Sequence, residues 1–239
     1  MESDGPFKPN YPAPTALRPL LGLTVLVIED SRYACEAMRL LCLRSGARIR
    51  RADTMRAARR HLQVYRPSVA LIDIGLPDGS GTDLIRELAV SQHRPDVVLG
   101  ISGDPGTEAE VLEAGGDGFM AKPVTSLAVF QETILAYLPQ ERRPPGPRPV
   151  TEDVIEPDPL AFRDDMLHAA DIIEDAADGQ TADYVAQFLS GVARSACDTD
   201  LEMAAAALAA QRARGLGVAS EMAHVAGLVQ ARLATKAAI

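Results

Sequence analysis

With 239 residues, 47% of them hydrophobic and 24% charged, the chain has the composition of an ordered protein of one large or two ordinary domains. No run of about 18 apolar residues is present, which excludes a membrane-spanning helix. The proline-rich start lacks the basic-then-apolar order of a secretory signal. The formal net charge of −9 falls entirely in residues 151–239, where 6 Lys and Arg face 15 Asp and Glu. DNA-binding output domains need a positive footprint to displace counterions from phosphates, so neither nucleic acid nor a membrane is expected as a partner.

Residues 1–21 read as a flexible leader, and residues 22–139 then alternate strands with helices. The continuous apolar run Leu23 to Ile28 is that of a strand buried on both faces of a parallel sheet. Ser31 to Arg44 repeats Ala34, Met38 and Leu41 at helical spacing, and Gly46 ends the helix. A basic strand covers Ala47 to Ala52. Thr54 caps a second helix that turns Met55, Ala58, Leu62 and Tyr65 inward. Val69 to Asp73 is the third strand; a glycine- and proline-rich loop follows, then a helix from Thr82 to about Val90. Val97 to Ile101, a short helix at about Glu108 to Ala114, Gly118 to Ala121 and a closing helix from Thr125 to Leu138 complete five strand–helix units. That pattern predicts an α/β fold with a doubly wound five-stranded parallel sheet, whose ligands sit beyond the C-terminal strand ends.

Residues 140–157 are rich in proline and charge without apolar periodicity, which predicts an extended, semi-rigid linker. Residues 158–239 read as an acidic, all-helical domain. Asp158-Pro159 has the chemistry of a helix start, and Phe162, Met166, Ala169 and Ile173 continue the helix toward Gly179. Tyr184, Val185, Phe188, Leu189 and Val192 form a second stripe. Asp198 or Thr199 caps a third helix through Leu201, Ala205 and Leu208, and Gly215 and Gly217 break it. A fourth carries Val218, Met222, Val225, Val229 and Leu233. Short connections predict a small bundle, rich in alanine and thin in its core, that homodimerisation or partner binding would help to stabilise.

Cys35, Cys42 and Cys197 fall in predicted helices with no CxxC pair and no histidine at ligand spacing, so neither a disulfide framework nor a zinc site is expected. Cys35 and Cys42, a heptad apart, read as buried thiols, which fits a reducing cytoplasm.

The chemistry lies at the strand ends. Glu29 and Asp30 follow strand one, Asp73 ends strand three, Ser102 ends strand four and Lys122 ends strand five. Converging carboxylates repel one another unless a cation neutralises them, and oxygen-only ligands point to Mg²⁺. Such a site suits attack by a carboxylate on a phosphoryl group, with Lys122 and Ser102 pairing with its oxygens.

The segments VLVIED (Val25 to Asp30), LIDIGLPDGSG (Leu71 to Gly81), GIS (Gly100 to Ser102) and GFMAKPV (Gly118 to Val124) resemble the CheY-like receiver domain of two-component response regulators. The resemblance covers about half of the chain and implies a flavodoxin-like receiver fold. It implies that Asp73 is the phosphoacceptor, loaded by a sensor histidine kinase or histidine phosphotransferase. Glu29, Asp30, Asp73 and the carbonyl of Gly75 would bind Mg²⁺, Ser102 and Lys122 would read the phosphoryl group, and Phe119 with Ser102 would form the switch. The bond Lys122–Pro123 is cis in the family. Two positions stand out: Gly75, where the family often carries a larger side chain, frequently Met, and Gly103, which leaves the pocket open. Gly75 also argues against a haloacid-dehalogenase-type phosphatase, which needs an acid two residues after its nucleophile. The chain then acts as a phosphoacceptor rather than as an enzyme on other substrates.

No helix-turn-helix, GGDEF, EAL or phosphohydrolase motif appears in residues 158–239. The reading that follows is an adaptor whose bundle binds another signalling protein, the kinase itself among the candidates. Two alternatives are a phosphorelay intermediate using His224, and a transcriptional regulator with an unrecognised DNA-binding bundle. The segment AHVAGLV around His224 faintly resembles a histidine phosphotransfer motif, with its lysine missing and its glycine one position early; a solvent-facing histidine is expected. Arg44, Arg48, Arg50, Arg51, Arg56, Arg59 and Arg60 read as solvated surface, with contact to the acidic bundle as the alternative.

Overall fold

The structure is a computed structural model and describes residues 13–147, 149, 153–174 and 179–235. The first half runs β1 (Thr24–Ile28), α1 (Arg32–Ser45), β2 (Arg48–Ala52), α2 (Met55–Val64) and β3 (Val69–Asp73). A two-residue ladder, β4 (Gly75–Leu76) with β5 (Gly79–Ser80), sits in the loop after β3. Then come α3 (Gly81–Ala89), β6 (Val97–Ser102), α4 (Glu108–Glu113), β7 (Gly118–Ala121) and α5 (Leu127–Tyr137). The main sheet has the order β2-β1-β3-β6-β7, and all its neighbours are parallel. Strand order reverses beside β1 and β3, so a crevice opens at their carboxyl ends.

Strand periodicity divides the core. Val25, Val27, Leu71 and Leu99 face α1 and α5, whereas Leu26, Ile28, Ile72 and Val98 face α2 and α3. Side chains on both faces explain why these strands read as unbroken apolar runs. The caps are side-chain oxygens: Ser31 accepts from Ala34 N (3.0 Å), Thr54 from Ala57 N (3.1 Å) and Ser126 from Val129 N (3.3 Å). Gly46 ends α1 in the left-handed region, at φ 85°, a conformation that glycine adopts without strain.

Several sequence expectations shift. Tyr65 is not an inward helical residue but the extended C-cap of α2, its hydroxyl 3.0 Å from His61 Nδ1; Pro67 disfavours helix at the preceding residue, so α2 stops early. Leu20, assigned to the leader, is fully buried in the core. Residues 1–12 of that leader lie outside the described residues. Ile155, assigned to the linker, is also in that core, and its N–H donates to Thr125 O (2.9 Å) beside a bridge between Ser126 and Val154. The surrounding prolines hid this short strand-like segment. Cys35 and Cys42 are buried, and burial pushes both thiols up to about 12. Cys197 is instead exposed in a turn, at φ 55°.

The second half is a bundle of α6 (Pro159–Glu174), α7 (Gly179–Ser195), α8 (Thr199–Ala213) and α9 (Ala219–Ala234). Its core joins Met166, Leu189, Val192, Leu201, Leu208 and Val229. Ala204 and Ala205 are buried on α8, and their small side chains let α7 and α8 pack closely. Asp198 closes the bundle, its carboxylate held by both Arg232 Nε (2.9 Å) and Nη2 (2.8 Å).

The bundle is anchored to the N-terminus of α1. Asp165, almost fully buried, accepts from Ser31 Oγ (2.7 Å), Arg32 N (2.7 Å) and Tyr33 N (3.0 Å). The first turn of a helix presents unpaired N–H groups and the positive end of its dipole, so a carboxylate there is doubly favoured. Phe162 meets the Tyr33 ring edge-on, with centroids 5.8 Å apart, and Arg32 pairs with Asp164 at 2.8 Å. Among the described residues, none of Arg48, Arg50, Arg51, Arg56, Arg59 and Arg60 pairs with the bundle. Arg59 pairs with Glu87 instead, and Arg44 with Asp153. Asp165→Ala is expected to weaken bundle docking by about 2 kcal/mol, because it strands backbone donors at a covered helix end. Hydrogen exchange checks this: amides of Arg32 and Tyr33 should exchange faster while those of β3 keep their protection.

Candidate functional site

The carboxyl ends of the parallel strands bring the expected side chains together. Glu29, Asp30 and Asp73 each place a carboxylate oxygen within 4.8 Å of the others. Lys122 follows β7 and lies between two of them, 3.0 Å from Asp73 Oδ2 and 2.7 Å from Glu29 Oε2, with its side chain 5% exposed. The Lys122–Pro123 peptide is cis. Gly75 N donates to Asp73 Oδ1 (3.3 Å) and Ser31 N to Glu29 Oε1 (3.2 Å). A side chain at Gly81 would run into the Asp73 carbonyl oxygen, which gives the Asp73-to-Gly81 spacing a steric reason.

Electrostatics make this a strained collection of charge. Burial, then the neighbouring Asp73, raises Glu29 well above the ordinary carboxylate range. The same two causes push Asp30 up to about 7. Burial alone would lower Lys122, but the Asp73 and Glu29 carboxylates reverse this and hold the ammonium well above its usual value. Three acids against one ammonium leave the site short of positive charge. The Lys122 ammonium, 2.7 Å away, is the one group that answers the buried Glu29 Oε2 among the described residues. Three clustered carboxylates that share a single ammonium form an all-oxygen donor set that fits a hard divalent cation such as Mg²⁺.

Ser102 lies at the same rim, while Phe119 packs into the core. The Ser102 hydroxyl accepts from Asp104 N (3.1 Å) in its own loop. Phe119 is half-buried against the core cluster shared by α2, α3 and α4. His224 is exposed on α9 and does not line the cleft described next.

Sequence reasoning missed the contribution of the bundle. A cleft of about 780 Å³ has Asp73, Ser102 and Lys122 on one side and Gln187, Gly191 and Arg194 of α7 on the other. The Tyr184 hydroxyl donates to Asp30 Oδ2 (2.9 Å), and burial, then the Asp30 charge, holds this phenol well above its usual value. Tyr184 was expected in the bundle core. Its ring does reach Phe188, with centroids 5.8 Å apart, but its polar end belongs to the receiver rim. A usable signal was the 3-4-3 spacing of Tyr184, Gln187, Gly191 and Arg194, which puts all four on one helical face.

Residues 25–133 match the family model described as the response regulator receiver domain. The matched residues are those that build the parallel sheet and its acidic rim. The chain is 29% identical over 99 residues to the KDP operon transcriptional regulatory protein KdpE of Escherichia coli, covering 41% of this chain and 44% of that one. It is 32% identical over 102 residues to the virulence transcriptional regulatory protein PhoP of Salmonella typhimurium, covering 42% and 46%. The chain therefore spans less than half the length of these relatives. The chemotaxis protein CheY4 of Vibrio cholerae overlays with a TM-score of 0.45 and 21% identity, over 48% of this chain and 98% of that one. The family match ends before the helical bundle begins.

Magnesium should raise the thermal midpoint of the protein, since a ligand that binds only the folded state stabilises it by about 2.7 kcal/mol at a hundred times its Kd. Calorimetry with and without Mg²⁺ checks this, and Asp30→Ala should remove most of the shift.

Proposed function

We propose that the chain is a phosphorelay response regulator: a histidine kinase or histidine phosphotransferase loads Asp73, and the helical bundle carries the output through contact with protein. The observation that carries this reading is the ion pair between Asp73 and Lys122 at the strand ends, with the bundle docked over the same rim. In the transfer, an Asp73 carboxylate oxygen attacks phosphorus, the P–N bond to the donor imidazole breaks, and its electron pair returns to the ring. Lys122 is placed to pair with a phosphoryl oxygen once Asp73 has given up its charge. The Ser102 hydroxyl would leave Asp104 N and turn to the same group. Phe119 would follow into the space it leaves, an ordering switch driven by one new anion. Glu29, Asp30, Asp73 and the Gly75 carbonyl would hold Mg²⁺, which supplies positive charge that lowers repulsion between the acids and the incoming phosphoryl group.

The bundle supports an output by protein contact. It bonds directly to Asp30 through Tyr184, so loading the site alters a contact the bundle depends on. Residues 151–239 hold 6 basic against 15 acidic residues, a balance that opposes phosphate backbones. The matched relatives are named transcriptional regulators, but their similarity lies with the receiver. We divide the chain into a receiver at 22–139 whose core also takes in Leu20 and Ile155, and an output bundle from 158, with the cytoplasm as its compartment.

Incubation with Mg²⁺ and acetyl phosphate tests the assignment. The expected result is one acyl phosphate per chain, sensitive to hydroxylamine and abolished by Asp73→Asn. Label that survives this substitution would overturn the reading.

A further inference from the structure

One face of α7 lies across the tips of four strands or the loops that follow them. Tyr184 bonds to Asp30 beyond β1. Gln187 fills the space beside Gly75, where even a methyl group would collide with its amide nitrogen and lie 2.6 Å from Cδ. The backbone of Gly191 passes over Lys122, whose Nζ would stand 3.7 Å from a Cβ built there. Arg194 fills the space beside Gly103, where a Cβ would collide with Nη1 and lie 3.0 Å from Cζ. The two receiver positions without side chains on either side of the acceptor are thus occupied by side chains of another helix.

The bonding of these two residues leaves reactive ends free. Arg194 spends Nε on Glu202 Oε1 (2.8 Å) and Nη2 on the same oxygen (2.7 Å). Among the described residues, its Nη1, the end against Gly103, has no acceptor, and the Gln187 amide has no hydrogen-bond partner. Both line the cleft that opens onto Asp73. An unspent guanidinium N–H beside Ser102 and an unspent amide beside the Asp73 loop flank the direction from which anything must approach the acceptor.

We propose that α7 is part of the phosphoryl-transfer site: Arg194 binds a phosphoryl oxygen on Asp73, and Gln187 orients the water that removes the group. This rests on Asp73 being the phosphoacceptor. In hydrolysis, the water oxygen attacks phosphorus opposite Asp73, and the bond between phosphorus and the Asp73 oxygen breaks. The electron pair returns to the carboxylate, and both water protons end on the inorganic phosphate. Gln187 Oε1 accepts a hydrogen bond from that water and fixes its position. Arg194 neutralises charge on the equatorial oxygens, which bear it in the transition states of both loading and removal. The two residues therefore have different kinetic signatures. Arg194 acts in both directions, whereas Gln187 acts only where water is the nucleophile.

The test uses the full chain, Mg²⁺ and acetyl phosphate, following the rate of labelling and then the decay of label after the donor is removed. Arg194→Ala should slow both by about tenfold, and Gln187→Ala should slow decay by about tenfold with labelling within about twofold. A purely structural role would not divide the two rates in this way. Asp165→Ala, which loosens the bundle from outside the cleft, should slow both. Hydrogen exchange at Arg32 and Tyr33 reports whether each variant stays docked. For a variant that undocks, Arg194→Gln and Gln187→Met keep the stems and must give the same pattern. No label on the wild-type protein defeats the acceptor assignment itself. Normal labelling with wild-type rates in the docked variants, or in Asp165→Ala, overturns only the role of α7.

Discussion

Three carboxylates are forced together at the ends of two neighbouring parallel strands, with a single buried ammonium between them. A parallel sheet aims all its strand ends at one rim, so Glu29, Asp30 and Asp73 cannot avoid each other. Taking such groups out of water opposes their charge, and each raises the cost for the next. Lys122 answers part of this by pairing with two of the three. The remainder leaves the site short of positive charge, which a bound cation would supply. The surrounding fold serves this arrangement. Apolar side chains on both faces keep the strands in register, and glycine at 81 lets the chain turn back against Asp73.

The bundle meets that rim by two different physical means. Asp165 satisfies the open N–H groups at the start of α1, an attachment that involves none of the three clustered acids. Tyr184 instead bonds to Asp30, one of the three clustered acids. The first contact holds the bundle in place, and the second is sensitive to the charge state of the site. One anchor independent of the clustered acids is thus joined to one contact that depends on them, so the charge at the strand ends is felt by a bundle of four helices.

Much of the receiver was legible from residues alone because its signals are local and coincide. Val25 to Ile28 is an apolar run with two acids at its end, and Val69 to Asp73 is another that ends on an acid. Burial on both faces is written in such runs. The position of α7 across the strand ends was not legible. Helical periodicity identified Tyr184, Val185, Phe188, Leu189 and Val192 as one stripe of bundle core, and nothing in it marked Gln187, Gly191 and Arg194. Gly75 and Gly103 did carry a trace, as places where side chains were missing, but what fills them comes from more than 80 residues later. Ile155 was obscured in a similar way. Its partner is the backbone of Thr125, and proline-rich neighbours gave it no periodicity to stand out from.

The burial of Ile155 also shortens the leash on the bundle. With that side chain fixed in the receiver core, few residues separate it from the start of α6 at Pro159. A module on so short a tether meets its own docking face at an effective concentration on the order of millimolar. An external protein that bound the same face of the bundle would compete against that local excess, and its apparent affinity would fall by the factor by which the docked form outweighs the free one.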